Sequence, residues 1–224
     1  MSKNESNNFA GQVDPRQYAK DVLAGKIKVC SLVKAAIDRN ARDLKNGHKR
    51  GLYFDHEAGA RAVRFFSLLK FYEGDVAGQP FMLAPYQAWI TYTVYGWKKA
   101  DGTRRFNYAY IEVAKKNGKT PWMSGHALYQ LIAEDEGAPQ VYTAAAARDQ
   151  ANICFRHAKT MASNSEMMKP YITVLEHSIM SKVNNGFMRP LSAEHKTMEG
   201  INVHGAIIDE YHVHPNDGVF ESIK

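Results

Sequence analysis

The sequence predicts an α/β fold with a mostly parallel central sheet, preceded by an N-terminal helical segment. Three observations lead there. Up to about residue 70, apolar residues recur at helical spacing. Beyond it, short apolar runs rich in β-branched and aromatic residues appear at 107–114 (NYAYIEVA), 140–144 and 203–208. Helical stretches separate these runs, and strands alternating with helices favour parallel strands joined by right-handed crossovers.

Taken in order, residues 1–13 have the composition of a disordered lead. Helices are expected over 14–25 and 31–46, with Ser31 as the N-cap of the second and Asn46-Gly47 as its stop. A third helix follows Asp55 and buries Ala58, Ala62, Phe65, Phe66 and Leu69 as its apolar stripe. Residues 74–80 form a Gly- and Pro-punctuated connection. Pro85 then suits the first turn of a helix containing Gln87, Trp89 and Ile90. Asp101-Gly102 marks a tight turn. The expected division is 1–80, lead and helices, and 81–224, the α/β core.

After the run at 107–114 comes a polar loop, KKNGKT, and a helix starting near Thr120. The run at 140–144 leads into a helix through Gln150, Ile153, Phe155 and Met161. Residues 171–191 fit a β-hairpin and a short helix equally. The last strand, 203–208, ends in Asp209-Glu210.

Composition narrows the class. At 224 residues the chain can bury one sizeable core, and 45% hydrophobic with 11% aromatic residues excludes a disordered protein. No apolar run reaches the roughly 20 residues of a membrane span. The polar start lacks the apolar centre of a signal peptide, which points to the cytoplasm. A net charge of +6 suits a polyanionic partner such as nucleic acid or nucleotide, and equally a merely basic soluble protein. Cys30 and Cys154 belong to no metal-binding spacing and are expected as free thiols packed as small apolar groups.

Two short motifs carry chemistry. In Ala114-Lys115-Lys116-Asn117-Gly118-Lys119-Thr120, a strand entering and a helix leaving would aim successive backbone N–H groups at one anion. Gly118 admits the phosphates, Lys119 bridges the β- and γ-phosphates of ATP, and the Thr120 hydroxyl ligates Mg²⁺. Val113 stands where the full Walker A pattern has its first glycine; taken alone, the stretch is also consistent with a lysine-rich surface turn. The second motif is the Asp209-Glu210 pair. Beyond the carboxyl end of a strand, where α/β ligand sites lie, Asp209 would support Mg²⁺ and Glu210 would activate water. Taken alone, it is also consistent with a solvated strand end.

His204, His212 and His214 lie near this pair, and His212 with His214 offers two imidazoles on one strand face. With His195 or Asp217 a metal set can be drawn, but the ligands are irregular and polar loop positions account for them better.

Three stretches resemble the large terminase subunits of tailed double-stranded DNA phages. They are the segment from GLYFDHEAGARAVRFF through LAPYQAWITYTVYGW to VAKKNGKT, then VYTAAAARDQANICFRHAKTM, and then LSAEHKTMEGINVHGAIIDEYHVH. The similarity covers most of residues 14–224. It implies the three-layer sandwich of a P-loop NTPase and a variant Walker A without the first glycine. It also implies an adenine-sensing role for Gln87 and a finger-like role for Lys115, where many members carry arginine. Lysine lacks the guanidinium fork for that task. The family uses a basic residue from a neighbouring subunit, for which Arg148, Arg189 and Lys196 are candidates, although none sits in a matching motif and ordinary surface charges account for them better.

By the same resemblance, the chain is a Mg²⁺-dependent ATPase that drives double-stranded DNA into a prohead. Its partners would be the small terminase subunit and the portal, in a homo-oligomeric ring in the host cell cytoplasm with no membrane contact. The family's coupling motif and nuclease domain would lie beyond Lys224, and DGVFESIK has the pattern of an interrupted helix, as in a truncated chain or the product of a split gene. Other readings of the residues are a helicase-like motor, or a non-catalytic DNA- or partner-binding module with a degenerate P-loop.

Overall fold

The computed structural model describes residues 9–145, 148–191 and 202–223. The chain forms two compact units. One is Met1–Ser67 with Phe81–Glu112; the other is Leu68–Pro80 with Val113–Lys224.

The first unit contains α1 (Pro15–Leu23), α2 (Ser31–Asn46), β1 (Leu52–Phe54), α3 (His56–Phe65), α4 (Pro85–Gly96) and β2 (Trp97–Lys99). Asp14 caps α1 by accepting from the Arg16 N–H, and Asp55 caps α3 by accepting from the Ala58 N–H at 2.9 Å. Ser31 is the first residue of α2; the N-cap position falls on Cys30, one residue earlier than expected. The stripe expected on the third helix is buried at Ala58, Ala62, Phe65, Phe66 and Leu69. α3 lies so close to α4 that a Cβ on Gly59 would sit 2.7 Å from the Tyr92 carbonyl oxygen.

Residues 9–13 are not a disordered lead. Phe9 is buried and meets the Tyr92 ring edge-on at 6.0 Å. The Gln12 amide donates to the Phe81 carbonyl and accepts from the Leu83 N–H. The polar composition concealed one aromatic anchor and one amide that satisfies buried backbone groups.

The second unit contains α5 (Lys119–Ile132), β3 (Gln140–Ala144), α6 (Arg148–Asn164), β4 (Ile172–Val174), β5 (Ile179–Ser181), β6 (Phe187–Pro190), β7 (Val203–Ile208) and α7 (Gly218–Ser222). Its sheet runs β4-β5-β6-β3-β7. β3 is parallel to both β6 and β7, whereas β4, β5 and β6 pair antiparallel. The sheet is therefore mixed, not mostly parallel. The cause lies in 171–191, which fold as consecutive short strands. Leu175 donates to Ser178 and Ser181 to Gly186 across the two turns, and strands joined so tightly can pair only antiparallel.

The expected strand at 107–114 does not form. These residues lie outside the sheet, with Tyr108 and Tyr110 exposed. Strand composition describes side chains suited to a pleated, half-buried surface, and without a ladder partner it yields no strand.

Alternation along β3 assigns the faces of the sheet. The Thr143 hydroxyl donates to the Ala151 carbonyl of α6, while Tyr142 and Ala144 cluster with Leu191 and with Val219 of α7. α5 packs on β7, where Gly205 faces Gln130. Residues 68–80 form a looped strap closed by Phe71–Gln79 and Gly78–Phe71 backbone bonds. Ser165 donates its hydroxyl to the Leu68 carbonyl, and the Tyr72 hydroxyl bonds His157 of α6. Cys154 is buried as expected, but Cys30 is exposed at the start of α2, so only one thiol is packed.

Candidate functional site

The loop before α5 takes its shape from two left-handed residues, Lys116 (φ 65°) and Gly118 (φ 68°). Gly118 suits that conformation without a Cβ clash and is the N-cap of α5. The Asn117 amide donates to the Ala114 carbonyl at 3.0 Å and to the Lys115 carbonyl at 3.3 Å, tightening the loop from within. Pro121 occupies the first turn of α5, where backbone N–H groups have no intrahelical acceptor, so its missing donor costs nothing. Lys119 and Thr120 thus open a 14-residue helix at its electropositive end.

The other half of the site comes from the end of β7. The Asp209 N–H donates to the Ala144 carbonyl at 2.9 Å, which ties the residue to the end of β3. Glu210 turns the chain in a left-handed conformation (φ 49°, ψ 46°), unusual for a residue with a side chain. Its N–H donates to Asp209 Oδ1 at 2.9 Å, and its carbonyl accepts from the Val213 N–H.

These halves meet. Lys119 Nζ donates to Glu210 Oε1 at 2.8 Å and stands 3.2 Å from Asp209 Oδ1. The Thr120 hydroxyl donates to Asp209 Oδ2 at 3.3 Å. The hydrogen bond from Lys119 is the main reason the Glu210 carboxyl is held below its ordinary range, with the charges of Lys119, His212 and Lys115 adding to it. Desolvation works to lower the Lys119 pKa, but the bonds and charges of Glu210 and Asp209 outweigh it and raise the ammonium above its usual value. Hydroxyl and carboxylate oxygens so placed are the hard donors that suit Mg²⁺.

Of the residues singled out from sequence, Lys119, Thr120, Asp209 and Glu210 come together. Ala114, Lys115, Lys116 and Asn117 are exposed on the loop. Gln87 belongs to the first compact unit; it is buried, and its Oε1 accepts from the Ala84 N–H at 2.9 Å at the start of α4. Arg189 stands on β6 with its guanidinium over Tyr142 and Phe187, 5.4 and 5.0 Å from the ring centres. Lys196, His195 and the side chain of Arg148 lie outside the described residues. His212 and Val213 fall in a 3-10 turn, so His212 and His214 share no strand face. His212 Nδ1 stands 3.4 Å from Glu210 Oε2, and His204 Nε2 lies 3.1 Å from Glu134. Among the described residues, no group of three His, Cys, Asp or Glu side chains could hold a metal ion.

One supporting contact had no clear sequence signal. The buried Ser124 hydroxyl lies 2.8 Å from the Thr120 carbonyl and 2.9 Å from the Cys154 carbonyl, linking the first turns of α5 to α6. A small polar residue one turn after Thr120 is the only trace of it in the sequence.

Comparison with known proteins gives the family of the chain. Residues 85–224 match the family model for the terminase large subunit, ATPase domain. A curated relative, the terminase large subunit of Enterobacteria phage HK97, is 32% identical over 141 residues, which are 62% of this chain and 27% of that protein. The crystal structure of the HK97 bacteriophage large terminase aligns with a TM-score of 0.62 at 27% identity, covering 74% of this chain and 34% of the other. The chain thus spans about a third or less of the length of these relatives. Since the family model covers more than half of its residues, the chain belongs to the ATPase-domain family of terminase large subunits.

Proposed function

We propose that this site binds ATP with Mg²⁺ and hydrolyses it, as the motor region of a DNA-packaging terminase. The observation that carries the proposal is the convergence of Lys119 and Thr120 on Asp209 and Glu210, across 91 and 89 residues of sequence. The α5 N-terminus and the Lys119 ammonium would receive the β- and γ-phosphates. Thr120 and Asp209 would hold Mg²⁺, which when bound neutralises charge developing on the phosphate oxygens. Glu210, ionised at neutral pH, would accept a proton from the attacking water once the phosphates replace it as the partner of Lys119.

Lys115, exposed beside this centre and felt by the Glu210 carboxyl, would add charge near the γ-phosphate. For Gln87, an adenine-sensing role rests on the sequence resemblance alone. Double-stranded DNA as the translocated substrate, the small terminase subunit, the portal, a homo-oligomeric ring and work in the host cytoplasm follow from the same proposal. No helix among the described residues is long and apolar enough to cross a membrane.

Titration with a fluorescent ATP analogue, with and without Mg²⁺, together with phosphate release, tests the assignment. Lys119→Ala should weaken binding by about tenfold or more, whereas Glu210→Gln should bind normally and not hydrolyse. Normal turnover by Glu210→Gln would sink the mechanism.

A further inference from the structure

One end of the first compact unit concentrates positive charge. Segments 39–50 and 97–106 hold nine of the chain's 29 Lys and Arg but only two of its 23 Asp and Glu. Their net +7 exceeds the +6 of the entire chain, so the remainder is close to neutral.

The fold gathers these segments onto one surface. The 3-10 turn Gly47–Arg50 leads directly into β1, and β1 pairs with β2 so that Tyr53 stands opposite Lys98. Lys98 in turn bridges to Arg104. Gly47 packs on the Trp97 ring, closely enough that an added Cβ would stand 3.2 Å from it. One of the two acids is withdrawn from the surface: Asp43, on α2, is buried and takes both Arg50 and Arg105. Arg105 is further fixed over the Trp97 ring at 4.8 Å. The other acid, Asp101, bonds Thr103 within its own turn.

What faces water is therefore mainly cationic. Lys45 and Lys49 are exposed, and among the described residues no carboxylate lies within ion-pair distance of either, or of Lys98. Tyr53, 46% exposed, shares the strand face of Lys98 and adds a phenol that can donate to a phosphate oxygen.

The geometry points to this face as a docking surface for the phosphate backbone of duplex DNA. Lys45, Lys49 and Lys98, with no carboxylate partner among the described residues, provide sequence-independent phosphate contacts that position a duplex rather than read it. The choice of duplex DNA over another polyanion rests on the packaging proposal; the surface itself does not involve the nucleotide site.

Fluorescence anisotropy with a labelled duplex and the full chain tests it. A Lys45→Gln/Lys49→Gln/Lys98→Gln variant should bind about tenfold more weakly at low salt. Its slope of log affinity against log salt should shrink by about 2 to 3, because each lost phosphate contact removes about 0.9. A Lys159→Gln/Lys169→Gln/Lys182→Gln control should keep both values near wild type. Unchanged affinity and slope in the first variant would overturn the inference. So would equal losses in both variants, or a preference of the wild type for polyglutamate over DNA. Nucleotide binding and circular dichroism should be unaltered throughout. DNA binding that depends on this face in a chain that binds no nucleotide would leave the surface standing and remove the ATPase proposal.

Discussion

Lys119 Nζ lies 2.8 Å from Glu210 Oε1, so the two groups proposed to serve ATP are hydrogen-bonded to each other. The pair has a defined pH window. Glu210 titrates below its ordinary 4.5 in the folded chain, so its contribution is present above that value and is lost as pH falls through the folded pKa. Lys119 titrates above 10.5, so its contribution is complete below that value and is lost as pH rises through the folded pKa. With the Glu210 side chain 35% exposed, solvent screening limits the pair to about 1 kcal/mol or less. Carboxyl-carbon NMR should give Glu210 a midpoint below 4.5 in the wild type and a higher one in Lys119→Met. An unmoved midpoint would mean that the bond does not exist in solution.

Gly205 should resist enlargement for a reason confined to one neighbour. A Cβ there would stand 2.1 Å from Gln130 Oε1 and 2.6 Å from its Cδ. Gly205→Ala is expected to cost about 1 to 2 kcal/mol as the Gln130 side chain is pushed off β7. Adding Gln130→Ala should recover most of that loss, since Gln130 Oε1 is buried without a hydrogen-bond partner among the described residues. Urea midpoints of the two single variants and the double variant measure the coupling; simple additivity would disprove the contact.

The two cysteines should differ sharply in reactivity. Cys30 is exposed, whereas burial pushes the Cys154 thiol up to about 12. At pH 8 that leaves on the order of a thousandfold less Cys154 thiolate than an ordinary thiol would give, before restricted access is considered. A maleimide should label one thiol in the native chain and two in denaturant, with mass spectrometry placing the first at Cys30. Fast native labelling of Cys154 would show that α6 does not pack against Ser124 as described.

Much of this architecture was legible because local signals and tertiary demand agreed. β3 and β7 begin and end where their apolar runs do, and α2 spans the 31–46 pattern. Asp209 and Glu210 were identifiable because two carboxylates closing an apolar strand must emerge at its carboxyl end. The run at 107–114 misled because its composition is right for a strand, while strand formation depends on a partner that composition does not reveal. Phe9 and Gln12 were hidden by polar neighbours, although one buried ring and one amide are enough to fasten a segment. At 172–190 the sequence left a hairpin and a short helix open, because each strand is only three or four residues long, too short for periodicity to separate the two.

The strap at 68–80 also bears on how the protein is made. Tyr72 precedes its partner His157 by 85 residues, and Leu68 precedes Ser165 by 97. At roughly 5 to 20 residues per second, the strap would wait on the order of 4 to 20 s on the ribosome before α6 exists to receive it. The second unit is thus written in two instalments, and its early one must stay available while the 81–112 segment, which belongs elsewhere, is synthesised between them. A chain that begins after Glu112 would carry α6 and the sheet but no strap, leaving the His157 ring and the Ser165 hydroxyl without their partners.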